Sequence, residues 1–484
     1  MSVVTDERQN SGWMKREEKR INMENADILG TAPIKKLLQF YAWPSVIGAV
    51  VNTLYNVVDR IYIAQGVNSL ALSGLSVTMP VMGVTQAVGT LVGMGAAARI
   101  SILLGQQRRE EGEKMLGSAF LLSLTISSLV IVLLMMFARP LLMQFGASEA
   151  SLPYALDYLN IVLPGNIFAN ITYSYNAVMR ATGYPKKAMK TMLIGAALNF
   201  VLDPVFLFVF HMGIAGVALA TVISMFIGMI WVLHHFTRPD TNVKLRVRNF
   251  KFNWDYTLAI VSIGVAPFVT HLMASIVNIY KNRLLYDYGM ISPIDFYSGD
   301  LAVAANGVIQ SVAMLTLMFM FGISQATQPI LGYNYGAGNL GRVRDTFRIA
   351  RKMNFLIGVF GASVTLIWPE IVARAFTSDP QLIAVCKVGL RIELAAMWAV
   401  GIQLTGVQFF QSLGKAARAL LLSFSRQLIF LVPALAILPR VMGLTGVWTA
   451  LPVADVLSMI LCMTMTSSYF RKLAHPYRRS KRCA

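Results

Sequence analysis

The sequence predicts an all-α integral membrane protein of twelve transmembrane helices, arranged as two pseudo-symmetric six-helix lobes. Three observations predict it. Of the 484 residues, 56% are hydrophobic and only 13% charged, against about 25% charged in soluble domains. The apolar residues come in long blocks, such as GSAFLLSLTISSLVIVLLMMF at 117–137, which holds no charge; about 20 residues of this kind cross a bilayer as a helix. The second half of the chain also repeats features of the first in the same order.

Twelve spans follow from the apolar blocks, at 37–64, 76–104, 116–138, 152–179, 188–210, 214–236, 256–284, 301–331, 353–373, 383–412, 417–438 and 444–468. The chain divides into a polar tail (1–33), an N-lobe (34–237), a charged linker (238–253), a C-lobe (254–470) and a basic tail (471–484). The polar start is not a cleaved signal peptide. Cys386, Cys462 and Cys483 fit no metal spacing, and no structural disulfide is expected.

The net charge of +19 arises from 42 basic and 23 acidic residues, and its placement is one-sided. Segments such as QQRREEGEK, YPKKAMK, KLRVRNFK and GRVRDTFRIARK alternate with loops whose basic residues are only Arg139, Arg374 and Arg440. The positive-inside rule then makes both termini cytoplasmic, with the basic loops facing anionic lipid. No aromatic-basic interleaving points to nucleic acid.

The repeat rests on several matches in register. RATGYPKKA (180–188) pairs with QSLGKAARA (411–419), and HMGIAGVALA (211–220) with VMGLTGVWTA (441–450). GAAARISILLG (95–105) pairs with GISQATQPILG (322–332), QFGASEA (144–150) with AFTSDPQ (375–381), and Pro44 and Arg60 with Pro267 and Arg283. Six helices per repeat makes the copies parallel, related by an axis near the membrane normal.

Polar residues inside the spans are the candidate functional groups, because a buried charge costs about 2.5–3.5 kcal/mol at mid-bilayer on insertion scales. In LNFVLDPVFLFVF, Asp203 has Asn199 one turn earlier on the same face. Pro204 removes a backbone N–H and frees the carbonyl of Phe200. These oxygens suit a small cation or a proton; the bland alternative is an Asp that caps a broken helix. In the first span Asn52, Tyr55 and Asp59 share a face, although Asp59 could simply pair with an arginine near the interface. In the second half the aligned positions of this stripe are Ser275, Asn278 and Asn282, so the acidic pair belongs to the first half. Lys281, Lys387, Arg391, Glu393, Arg426 and Asp455 are further charges in the spans; Glu393 either binds a cationic substrate or pairs with Lys281. The chain has 27 methionines, including Met318 in MLTLMFMFG, and methionine surfaces adapt to varied apolar shapes.

With YNVVDRIYIAQ, GAAARISILLGQ, MRATGYPKKAM, NFVLDPVFLF and GISQATQPILGYNYGAG, the chain resembles the MATE (multidrug and toxic compound extrusion) family over residues 34 to 470, in its MepA-like bacterial branch. The resemblance implies a two-lobed antiporter that exports organic, cationic amphipathic compounds across the inner membrane against inward H⁺ or Na⁺. It implies an N-lobe cation site at Asp59, Asn199, Asp203 and Thr221, supported by Asn52, Tyr55 and Asn176. Asn278, Asn282, Glu393 and Met318 are candidates to line a substrate cleft. The expected partners are a small organic molecule and membrane lipid, with no nucleic acid, no cofactor beyond the coupling ion, and a monomeric chain.

Two other classes compete. A flippase for a lipid-linked glycan shares the architecture, but it must hold pyrophosphate in a cleft rich in Arg and Lys, whereas the interior of the first half is acidic. A membrane enzyme would need a site such as H-E-x-x-H or G-x-S-x-G, and the sequence has neither. Nor does it have the Walker A pattern of an ATP-driven pump.

Overall fold

The computed structural model describes residues 27–67, 69–291 and 298–480, and among them every regular element is a helix. The twelve long helices are α1 (Ile34–Gly66), α2 (Ser69–Gly105), α3 (Arg109–Met136), α4 (Leu152–Ala181), α5 (Pro185–Val209), α6 (Gly213–Thr237), α7 (Trp254–Met290), α8 (Gly299–Gly336), α9 (Leu340–Ile367), α10 (Pro380–Glu393 and Met397–Ser412), α11 (Ala416–Met442) and α12 (Leu444–Ser480). Nine are long and apolar enough to span a bilayer by composition. Of the remaining three, α10 is split by a turn at 394–396, α4 is interrupted in composition by buried Asn166, Asn170 and Asn176, and α1 carries the polar stripe ending at Asp59.

The two halves repeat in packing as well as in sequence. In the N-lobe α2 packs on α4, α4 on α6 and α1 on α5; in the C-lobe α8 packs on α10, α10 on α12 and α7 on α11. Prolines lie inside α1 (Pro44) and α7 (Pro267) at matching positions. The turns match too: Gly183 and Gly414 take φ of 108° and 69°, and Gly213 and Gly443 take 59° and 60°. A side chain at those angles is strained, so glycine closes the same two turns in each lobe.

Pro204 does not break α5. The helix runs through it and loosens into a π-helical stretch at Val205–Val209. The missing N–H leaves a gap in the i→i−4 ladder, and the next turn takes the wider spacing. The equivalent helix α11 has its own π stretch at Ser425–Leu431, ahead of Pro433.

The lobes meet through α2 against α7, α1 against α8, and α2 against α8. The first two contacts exchange under the pseudo-twofold. α2 is the central helix, with 94% of its most apolar window buried. Gly95 lies on the carbonyl of Ile260 and Gly264 on that of Leu91, so closely that a Cβ on either would overlap backbone. Gln328 Nε2 donates to Met94 O at 3.3 Å across the same seam. Asn334 and Arg342 of the C-lobe donate to Leu29 and Ala32, which precede α1, at 2.6 to 3.1 Å. These contacts lie in the half of the bundle nearest the basic loops, so the lobes are closed at that end.

The seam can be tested with paired substitutions in α2. Gly95→Ala should lower the thermal midpoint, at a cost of about 1–3 kcal/mol for overpacking. A Cβ at Gly83 meets open space, so Gly83→Ala should hold the midpoint or raise it by up to about 1 kcal/mol of helix propensity. Thermal unfolding of the detergent-purified chain reads both.

Candidate functional site

Four helices of the N-lobe converge on a buried polar cluster. α1 supplies Tyr55 and Asp59, one turn apart, and α5 supplies Asn199 and Asp203 with the same spacing. α6 adds Thr221 and α4 adds Tyr158. Asp59 is 7% exposed and Asp203 fully buried. Asn199 Nδ2 donates to Asp203 Oδ1 and to Thr221 Oγ1, both at 3.2 Å. Tyr55 and Tyr158 line the same small cavity as Asp59 and Thr221, and Asp59 and Asp203 are close enough for each carboxyl to act on the other.

The charge balance of this cluster is incomplete. Asp59 Oδ1 and Asp203 Oδ2 are buried and receive no hydrogen bond from the chain. Among the described residues no lysine or arginine pairs with either acid. Asp203 does not serve as a helix cap: its Oδ1 is turned to Asn199. Two facing carboxylates in a low dielectric cannot both stay ionised cheaply. A proton shared between them, or a small cation bound to the two unpaired oxygens, removes the conflict. A cavity of about 70 Å³ adjoins Asp59, lined also by Tyr55, Thr78, Met79, Tyr158 and Thr221 among others. That is room for an ion and a few waters, well below the roughly 300–1,000 Å³ of a drug-sized pocket.

The other residues picked out in the sequence fall elsewhere. The side chain of Asn52 lies outside the described residues. Asn176 does not join the acid pair: its Nδ2 donates to Ala188 O at 2.7 Å, and its Oδ1 accepts from Arg180. Ala188 precedes Asn199 by eleven residues, about 16 Å along α5, so Asn176 ties α4 to the start of α5 instead. In the C-lobe, Glu393 pairs with Lys281 at 2.6 Å through Oε1, the second of its two alternatives. Asn282 accepts from Asn306 at 2.7 Å, Asn278 is exposed and accepts from Gln310 at 2.6 Å, and Met318 is buried within α8. Tyr158 was not foreseen. In DYLNIVLPGN it carries no local signal, and only the packing of α4 against α6 brings it to the cavity that Thr221 lines. No group of three His, Cys, Asp or Glu among the described residues could hold a metal ion.

The family pattern named MatE matches residues 44–205 and again 286–435, one match in each lobe. The chain belongs to the MatE family. It is a multi-pass membrane protein of that family's two-lobed fold. Its MatE relatives include the multidrug export protein MepA of Staphylococcus haemolyticus, 24% identical over 440 residues, with 91% of this chain and 95% of the relative covered. MepA of Staphylococcus aureus (strain NCTC 8325 / PS 47) is also 24% identical, over 432 residues, covering 89% and 93%. Among solved MatE structures, an outward-facing multidrug resistance MATE transporter of the MOP superfamily superposes with a TM-score of 0.85 at 23% identity, covering 93% of this chain and 99% of that one. A mutant of the Vibrio cholerae MATE transporter VcmN gives 0.83 at 23% identity, covering 91% and 97%. At these identities the likeness establishes the fold.

Thr221 accepts from Asn199, so Thr221→Val should leave that buried amide short of a partner. The expected cost is about 1–3 kcal/mol, read as a lower thermal midpoint, and Thr221→Ser should restore it.

Proposed function

We propose that this chain is a secondary antiporter, not an enzyme, that exports organic cationic amphipathic compounds in exchange for inward H⁺ or Na⁺. The observation that carries the reading is the Asp59–Asp203 pair: two buried acids, no basic partner among the described residues, and an ion-sized cavity beside Asp59. MepA relatives are named multidrug export proteins, which supports export of foreign compounds as the task. The flippase reading is disfavoured by the C-lobe, where Lys281 and Arg426 are each held by a carboxylate and are not free to receive a pyrophosphate.

The mechanism follows from where the charges lie. The coupling ion binds Asp59 and Asp203, with Asn199 and Thr221 orienting the second acid. An ion that binds the lobe conformation with the two acids together more tightly than the one in which they part shifts the balance between the two. The π stretch after Pro204 lies just beyond Asp203 and gives α5 a place to change its winding. The substrate enters between the lobes, which in the present state are closed at the basic end. Ion binding and substrate binding favour opposite states, which couples the two fluxes. The basic end is cytoplasmic, both termini lie there, and the membrane is the inner one.

Two experiments test the proposal. In proteoliposomes, export of an organic cation should be driven by a Na⁺ or an H⁺ gradient applied separately, and Asp203→Asn should reduce it to the level of empty vesicles while the protein stays folded. Asn282→Ala should cost about 1 kcal/mol for a lost hydrogen bond and leave coupling intact. Gradient-driven export by both Asp203→Asn and Asp59→Asn would remove the coupling role. For orientation, a cysteine placed at 244–250 should resist an impermeant thiol reagent in whole cells, and one placed at 286–291 should react; the reverse pattern would invert the topology.

A further inference from the structure

The C-lobe holds a second buried polar cluster at nearly the depth of the first. Lys281 Nζ on α7 donates to Glu393 Oε1 on α10 at 2.6 Å and to Asn306 Oδ1 on α8 at 2.8 Å. Asn306 passes the chain on to Asn282 at 2.7 Å. Lys281 and Glu393 are 4% and 3% exposed, and Glu393 Oε2 receives no hydrogen bond from the chain. A neighbouring pair, Arg426 and Asp455, is joined at 2.6 Å. Lys281 stands nine residues before the end of α7 and Asp59 seven before the end of α1, which is about 14 and 10 Å from the respective helix ends. The repeat places Asp59 opposite Asn282, the neighbour of Lys281.

The two clusters use the same oxygen chemistry, a carboxylate with side-chain amides, but they differ in charge. The N-lobe cluster has two acids and no base; the C-lobe cluster is neutral because an ammonium stands among its oxygens. Stability is a poor account of this arrangement, since a buried ion pair adds little over an apolar pair of the same volume. We propose that Lys281 is a tethered cation filling what would otherwise be a cation-binding site in the C-lobe, formed by Glu393 and Asn306. With its charge fixed by a covalent tether, the C-lobe keeps α7, α8 and α10 joined in every state, and response to a free ion is confined to the N-lobe. Removing the ammonium while keeping Glu393 opens the site to a free monovalent cation.

The test uses the full-length purified chain carrying Asp203→Asn, so that it does not depend on the N-lobe reading. Thermal midpoints are measured in alkaline buffer with NaCl or with choline chloride. The added substitution Lys281→Ala should create a Na⁺-specific rise of about 3 °C or more, and adding Glu393→Gln should abolish it. The Asp203→Asn parent, with Lys281 in place, should show none; a rise there would count against Asp203 as the ion ligand, while the difference made by Lys281→Ala would still read the C-lobe. Lys281→Gln carries the same expectation with less lost volume. Equal midpoints in the two salts for both Lys281 variants, or a Na⁺ effect that survives Glu393→Gln, would overturn the proposal. Failure of both variants to fold in any salt would overturn it as well, because Na⁺ would then not replace the ammonium.

Discussion

Asp59 and Asp203 face each other inside the N-lobe with one oxygen apiece left unpaired, and the surrounding structure is arranged around that conflict. Each charge alone costs about 2.5–3.5 kcal/mol at mid-bilayer on insertion scales, and the two repel. Asn199 holds one acid by a single amide hydrogen bond and is itself held by Thr221. Tyr55 and Tyr158 line the cavity beside Asp59 and Thr221. None of these groups neutralises the pair. They fix its geometry and leave the missing charge to be supplied from outside, which is the condition for an ion to act as a control on conformation.

The scaffold is symmetric and the chemistry is not. Both lobes turn on glycines at matching positions, carry matching prolines inside their first helices and have a π stretch in the fifth helix of the repeat. The contacts between lobes exchange under the pseudo-twofold, with α2 on α7 and α1 on α8. On this common frame one lobe holds acids without bases and the other holds Lys281 against Glu393 and Arg426 against Asp455. The buried charges of the C-lobe are balanced within the chain and those of the N-lobe are not, and the lobes meet on a glycine-packed seam.

Much of this was legible in the sequence, for reasons particular residues make plain. Apolar blocks and basic loops give spans because a bilayer tolerates little else. Asn199 and Asp203 could be paired because helical spacing alone puts them on one face. The joining of Asp59 to Asp203 is tertiary, and it came from resemblance, not from spacing. Tyr158 was hidden because a lone tyrosine in an apolar span carries no local signal. Asn176 was misassigned because its amide serves a backbone carbonyl near the start of α5, a role that spacing cannot separate from a place at the ion site. The break in α10 was missed because 394–396 contains neither glycine nor proline. Pro204 was legible as a gap in the ladder, but not as the start of a wider-wound turn.

The most direct measurement of the central claim is ion binding itself, apart from transport. Isothermal titration of the purified chain with Na⁺, together with proton release followed on the same samples, should show one ion or one proton per chain for the wild type. Asp203→Asn should show neither. A mutant that binds Na⁺ or releases a proton as the wild type does would contradict the assignment of the facing carboxylates as the coupling site.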